Sequence, residues 1–486
     1  MGFGVFLVAA AHASPMDFYG FGARRMGRAS SGLALPDGFD AVLTNPAALP
    51  GIVHPELGIG FVLAQSNFYD LPPVYWDTNQ DGRIDATDTP LTLNPDADPI
   101  HGVMIGATRP FGPKVAGGVA LFVPAERLFR LQTFEPELPT YFLYGNRTQR
   151  YELGGGLAWR PIAGLAIGGG LQMIPRARYR LDATLDVVVS GTEDTTAEAS
   201  DVVGLSLDVH TMELDVVAGF SPSVSLHWDA GQAIPALAGL QLAGAWRGSA
   251  GLPVDVSVNL QANVGTEDLG DLDDVVVPLV LALDIGVFDH YVPETFTLGG
   301  AYTFRDTLTF TLDVKRTAWD RMRLSVAKVV HASIDGAAID LGDAPVDDGN
   351  GYDVVLAATW SPRLGAEITT PPVSSGTRFG DVRVLARGGL GFEPSPLVSQ
   401  TVSSALLDAN RVIFAVGGGV QCDDPFRTKE RRAMEVDAFF QYHQLAVGQL
   451  DRGSPSVPTA GYAVDGSPYP IGGHLLAAGV EWSLQY

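Results

Sequence analysis

Alternation of apolar and polar residues is the dominant signal in this chain. In Thr307–Lys315, Leu308, Phe310, Leu312 and Val314 fall on one face, and Thr307, Thr309, Thr311, Asp313 and Lys315 on the other. Met434–His443 repeats the pattern, with Met434, Val436, Ala438, Phe440 and Tyr442 opposed to Glu435, Asp437, Phe439, Gln441 and His443. Leu57, Ile59, Phe61 and Leu63 do the same near the start. Successive strand side chains point to opposite faces, so each segment predicts a β-strand with one apolar side. The pattern fits a soluble sandwich and a lipid-facing barrel equally well.

The C-terminus separates these readings. Leu476, Ala478, Val480, Trp482, Leu484 and Tyr486 share one face and end on an aromatic, where membrane barrels carry an aromatic girdle. A soluble protein rarely leaves so apolar a strand at an unprotected edge. Loop lengths point the same way. Short turns at Phe111–Lys114, Arg160–Gly164 and Thr303–Asp306 alternate with long connections near 67–100, 125–147 and 190–201. Outer-membrane barrels have short turns at the periplasmic end and long loops outside. A propeller would repeat with a period of roughly 40 residues, and no such repeat is present. The expected fold class is all-β: a transmembrane antiparallel β-barrel.

Composition agrees. Charged residues are 18% of the chain, against about 25% in ordinary soluble proteins. The 57 glycines suit strands that twist under close neighbours. No apolar run reaches the ~18 residues of a membrane helix; the longest, Val275–Leu283, contains Pro278 and meets Asp284. A net charge of −24 argues against a nucleic-acid partner, which selects a basic surface. The single Cys422 leaves no internal disulfide. Phe3–Ala11 is apolar and Ala11-His12-Ala13 has the small-x-small form of a signal-peptide cleavage site, so residues 1–13 read as an export signal. The basic start usual for such a leader is missing, which a start codon placed too late would explain.

The segment 14–52 is rich in glycine and small residues. It runs from Tyr19-Gly-Phe-Gly through Leu33-Ala-Leu-Pro-Asp-Gly-Phe-Asp to Asn45-Pro46-Ala47-Ala48-Leu49. Small residues let a backbone pack closely, and Asn-Pro fixes a turn. As a nucleotide loop it fails, because Gly20-x-Gly22 follows no strand and opens no βαβ unit. This segment resembles the N-terminal hatch of the FadL/TodX family of outer-membrane channels. Two later stretches are similar to the same family in the same order. One is Pro293 with Leu298-Gly-Gly-Ala-Tyr302, Leu308, Asp313 and Trp319; the other is Gly388–Arg411 with Phe392-Glu-Pro394-Ser395-Pro396 and Leu407-Asp408-Ala-Asn-Arg411. The resemblance implies a barrel of 14 strands over 53–486, a hatch plugging its lumen, and diffusion of hydrophobic compounds without energy input. Gly20, Gly22, Asn45, Pro46 and Ala47 are then the candidate gate residues. Region 176–292, with acidic segments Gly191–Asp201 and Thr266–Asp274, departs from the family pattern.

Two local motifs carry possible chemistry. Asp77, Asn79, Asp81, Arg83 (by its carbonyl), Asp85 and Asp88 fit the ligand positions of a Ca²⁺ loop with Gly82 at its sharp turn. Pro72, Pro73 and Pro90 exclude the full flanking helices; the plain alternative is a hydrated acidic turn. In the second long loop, Phe129, Leu131, Phe134, Tyr141, Phe142 and Tyr144 form an apolar cluster. It reads either as an exposed surface capturing a greasy ligand or as residues packing on one another and on the lipid interface. No H-E-x-x-H or G-x-S-x-G motif is present, so an enzyme is not expected.

Two functions of different class follow. One is a passive channel in the outer membrane of a Gram-negative bacterium for long-chain fatty acids, aromatic hydrocarbons or similar compounds. Its partners are membrane lipids, the hydrophobic solute and, during biogenesis, the outer-membrane assembly machinery. The other is a surface docking or secretion-assembly barrel without transport. A continuous apolar tunnel past the hatch favours the first, and a sealed lumen with a sticky outer face the second.

Overall fold

The computed structural model describes residues 18–76, 85–125, 138–144, 151–190, 202–267, 277–322, 328–334, 337–338, 354–377, 380–400, 404–423, 425, 433–451, 462–463 and 468–486. The stretch read as an export signal, residues 1–13, falls outside them.

Among the described residues 14 antiparallel strands close into a barrel. They are β1 (Glu56–Phe68), β2 (Ile100–Pro110), β3 (Val115–Pro124), β4 (Glu152–Ile162), β5 (Leu165–Ser190), β6 (Val202–Asp229) and β7 (Leu240–Arg247). β8 (Thr295–Phe304), β9 (Leu308–Thr317), β10 (Thr359–Thr369), β11 (Gly380–Glu393), β12 (Arg411–Cys422), β13 (Met434–Leu450) and β14 (Tyr469–Gln485) complete the ring. Each strand pairs with the next, and β14 returns to β1 in an unbroken register from Glu56↔Gln485 to Phe68↔Gly473. Among the described residues the ring itself has no open edge, so the apolar C-terminal strand is satisfied by closure. No described helix is long and apolar enough to cross a membrane.

The alternation resolves into an inverted protein. On β1 the exposed positions are Leu57, Ile59, Phe61 and Leu63, while Glu56, Gly58, Gly60 and Val62 turn inward. Val436 and Phe440 of β13, Phe310 and Leu312 of β9 and Val480 of β14 are likewise exposed, and Glu435, Asp437, Asp313 and Glu481 are buried. Inside, these charges share the lumen with a buried hydrophobic cluster, and an apolar belt of this extent on the outer face calls for hydrocarbon around it. Aromatic residues mark the two rims of this belt. Trp159, Tyr302, Phe304 and Tyr486 lie outward at the end with short turns, and Trp246, Phe296, Trp360 and Phe392 at the opposite end.

The short turns sit at 111–114, 163–164 and 305–307, and the longer connections 69–99, 125–151 and 394–410 leave from the other end. There β5 and β6 run on beyond their neighbours, paired from Leu165↔Trp228 to Val189↔Val202. A hairpin of strands Ala250–Glu267 and Val277–Val292 joins this extension, its first strand lying parallel to β5 over Tyr179–Ser190. The departure of region 176–292 from the family pattern corresponds to this raised β-collar.

Candidate functional site

The N-terminal segment folds inside the ring as short helical turns: Ala23–Met26, Gly38–Asp40, Ala41–Thr44 and Pro46–Gly51. Phe21, Ala23, Met26, Leu33, Phe39, Val42 and Leu49 are almost fully buried. Asn45 donates from its side-chain amide to the Leu33 carbonyl at 2.8 Å, locking the two halves of the hatch together. Gly20 and Gly22 adopt φ of 101° and 83°, a region closed to most residues. A Cβ on Gly22 would also collide with the Asp40 carboxylate, and one on Gly20 with Ser30.

Wall glycines receive the hatch. The ring of Phe39 lies where Gly58 and Gly106 would carry side chains, and the Pro46–Ala47 backbone lies against Gly168. Across the lumen the backbone at Arg28 and Ala29 occupies the space of a Gly389 Cβ. The five candidate gate residues are thus brought together in the lumen, with Ala47 donating its amide to Ser225 Oγ at 2.9 Å.

Hydrogen bonds and ion pairs tie the plug to the wall. The Ala23 amide donates to Glu481 at 2.8 Å, the Leu33 amide to Asp313 at 2.9 Å and the Phe39 amide to Glu56 at 3.2 Å. Gln441 donates to the carbonyls of Tyr19 and Met26. Arg24 pairs with Glu435, and Arg28 with Asp37 and Glu367. From the wall, the fully buried Arg387 joins Glu367, Glu435 and Asp437. Asp40 of the hatch is buried with both carboxylate oxygens unpartnered. Burial first, then the nearby Glu481 and Asp37, pushes its pKa well above the usual carboxylate range, which favours the neutral form.

Between the hatch and β6–β10 a cavity of about 100 Å³ remains. Its lining includes Arg25, Thr44, Ser225, Thr295 and Asp313. At about 100 Å³ it is a small gap rather than a continuous tunnel among the described residues, because charged and apolar wall residues alike close on the plug.

At the long-loop end three of the cluster residues are described, and they are not exposed: Tyr141, Phe142 and Tyr144 are buried. The expectation of an exposed capture surface fails for these three, since they fold inward over the start of the hatch. Tyr141 stacks on Phe68 with ring centroids 3.8 Å apart, and Tyr144 meets Phe68 and Phe18 at 5.2 and 5.1 Å. Arg411 lays its guanidinium 4.2 Å over Phe18 and pairs with Glu393. The Tyr144 hydroxyl donates to Asp408 at 3.1 Å, and the Ser395 hydroxyl to the other oxygen of that carboxylate at 2.5 Å. Burial raises the Asp408 pKa to about 6 against the lowering effect of Ser395, Arg411 and Tyr144. Phe129, Leu131 and Phe134 lie outside the described residues.

So do Asp77, Asn79, Asp81 and Arg83 of the Ca²⁺-type loop. Asp85 accepts from the Thr87 amide and hydroxyl, and Asp88 from the Asp85 amide at 2.9 Å, which makes a compact turn at the end of that loop.

Sequence reasoning placed Asp313, Glu435 and Asp437 on polar strand faces without assigning them a role, and it missed Arg28, Arg387, Glu367 and Glu481. For Arg387, Glu367 and Glu481 the signal was a charged residue at inward parity in an otherwise membrane-compatible strand, whereas Arg28 lies in the plug, where no such parity applies.

No family model matches the chain, and no curated protein matches it. Among solved structures, a FadL homologue from Pseudomonas aeruginosa aligns over 99% of this chain and 98% of its own at 14% identity and a TM-score of 0.53. The Ralstonia pickettii toluene transporter TbuX aligns over 97% and 100% at 12% identity and a TM-score of 0.47. The P. putida toluene transporter TodX aligns over 97% and 99% at 13% identity and a TM-score of 0.46. With its ring of 14 strands closed around its own N-terminal segment, the chain has the fold of the FadL homologue.

Proposed function

We propose that this protein is an outer-membrane channel for passive uptake of hydrophobic or amphipathic compounds, long-chain fatty acids or aromatic hydrocarbons among them. The observation that carries the reading is a FadL-type barrel whose lumen is filled by its own N-terminal segment, seated both by ion pairs and by a hydrophobic cluster shared with the wall. The polar part of that seat can be exchanged for water when the plug shifts, because each group it releases can be solvated. Gly20, Gly22, Asn45, Pro46 and Ala47 shape the plug, and membrane lipids surround the belt. The assembly machinery of the outer membrane would engage β14.

One observation favours docking without transport: the cavity beside the hatch is small. Uptake of a labelled long-chain fatty acid and a labelled monoaromatic hydrocarbon decides between the two. Cells lacking the protein should take up at least one of them several-fold more slowly than complemented cells. Equal uptake of both compounds by the two strains would remove the channel reading and leave docking.

A further inference from the structure

The loop between β3 and β4 does not stay on its own side of the barrel. Its described part, residues 138–144, docks on the loop between β11 and β12. Thr140 donates its amide to the Ala405 carbonyl at 3.1 Å and accepts from the Leu407 amide at 2.8 Å, forming an isolated parallel bridge with Leu406. In a ring of 14, β4–β11 lie on one side of that line and β12–β3 on the other, eight strands against six. The two loops therefore rise from nearly opposite walls.

The crossing is fastened at two further points. Tyr141 donates its hydroxyl to the Gly472 carbonyl at 3.0 Å and accepts from the Gly472 amide at 2.9 Å, a contact with the start of β14. Tyr144 binds Asp408 and covers Phe18, the first described residue of the hatch. Beneath the crossing, Ala405, Leu406 and Leu407 are fully buried. The segment thus reaches the facing loop, buries Tyr141, Phe142 and Tyr144 in a cluster shared with Phe18 of the plug, and adds a small set of directed polar contacts.

We propose that residues 138–144 form a strap across the mouth of the barrel, latched by Tyr144 on Asp408 and by Tyr141 on Gly472, and that this strap must release before a solute reaches the hatch. The inference rests on the transport reading, and the two are separable. The strap is closed by a disulfide between Thr140→Cys and Leu406→Cys in a Cys422→Ser background, and solute uptake is compared before and after reduction. The expected result is formation of the disulfide, an uptake rate at least tenfold lower while it is closed, and recovery with reductant. A disulfide that does not form, or one that forms and leaves uptake unchanged, overturns the strap.

A second readout needs no transport. A cysteine at Ala405, buried under the strap, is labelled by a membrane-impermeant thiol reagent in the same background. Labelling should accelerate at least fivefold when Tyr144→Phe removes the latch hydroxyl; an unchanged rate overturns the latch. If cells with and without the protein take up solute equally, the channel reading falls, and labelling alone then decides whether the strap opens.

Discussion

The ring of Phe39 occupies the space in which Gly58 would carry a Cβ. A wall side chain at that position and the seated hatch exclude each other. Gly58→Val should therefore displace Phe39 and loosen the plug while the strand ladder survives, at an overpacking cost of about 1–3 kcal/mol. Gly388→Val is the matched control, since a Cβ there meets only the Ala415 carbonyl at 3.8 Å. Protease cleavage within residues 18–52 should rise in the first variant alone, with heat-modifiable gel migration kept in both. Equal cleavage in the two would show that the plug does not depend on this fit.

Arg387 should be the most costly single wall residue. It is buried and pairs with Glu367, Glu435 and Asp437. Removing one partner of a buried ion pair costs about 3–5 kcal/mol, because charge is left unpaired in a poor solvent. Arg387→Met should lower the midpoint of thermal unfolding and expose the hatch to protease. Arg387→Lys should recover part of the loss, a point charge replacing a forked donor. A midpoint unchanged in Arg387→Met would mean that Arg24 and Arg28 suffice.

The mouth should respond to pH through Asp408. Tyr144, Ser395 and Arg411 face this carboxylate, with Glu393 paired to Arg411 behind them and Tyr141 nearby. Its pKa is about 6 when the strap is closed and should return to about 3.9 when opening exposes it to water. The closed state binds the proton more tightly, so acid favours closure. That advantage is lost as pH rises from about 4 to 6, with no further change above. Labelling of Ala405→Cys by an acid-tolerant disulfide reagent, scaled to an exposed cysteine, should rise over that window and then level off. Asp408→Asn should flatten the profile at its slow end. A rate that falls as pH rises through the window would reverse the argument.

Calcium should order the connection between β1 and β2. Asp77, Asn79, Asp81, Asp85 and Asp88 crowd four carboxylates and an amide into one loop, and a bound cation would relieve their repulsion. Chelation is expected to raise proteolysis between about residues 67 and 100 and to leave the barrel intact. Asp77→Ala with Asp81→Ala should reproduce that sensitivity in the presence of calcium. No calorimetric heat and no protection at millimolar calcium would reduce the motif to an acidic turn.

The wall was largely legible in the sequence. Period-two alternation needs only neighbours along the chain, so the outward rows Leu57–Leu63, Leu308–Val314 and Leu476–Leu484 could be read directly. The same parity placed Asp313 and Asp437 on the polar face. Their partners were not readable. The bond from Leu33 to Asp313 joins positions 280 residues apart, and that from Ala23 to Glu481 positions 458 apart. Such pairs are set by ring closure, which no local pattern encodes. The loop aromatics stayed open between capture and mutual packing for the same reason. Tyr141 and Tyr144 look solvent-facing on a long connection, and only the return of that loop across the ring supplies Phe68, Phe18 and Arg411 as neighbours.

The bridge from Thr140 to Leu406 has a mechanical consequence as well. A cylinder of strands resists stretching along its ladders but yields easily to ovalisation, the flattening of its circular rim into an ellipse. A tie between nearly opposite points of the rim opposes that mode directly. With the tie made, a push on the β3–β4 side is passed to the β11–β12 side. Without it, the two halves of the rim can breathe independently.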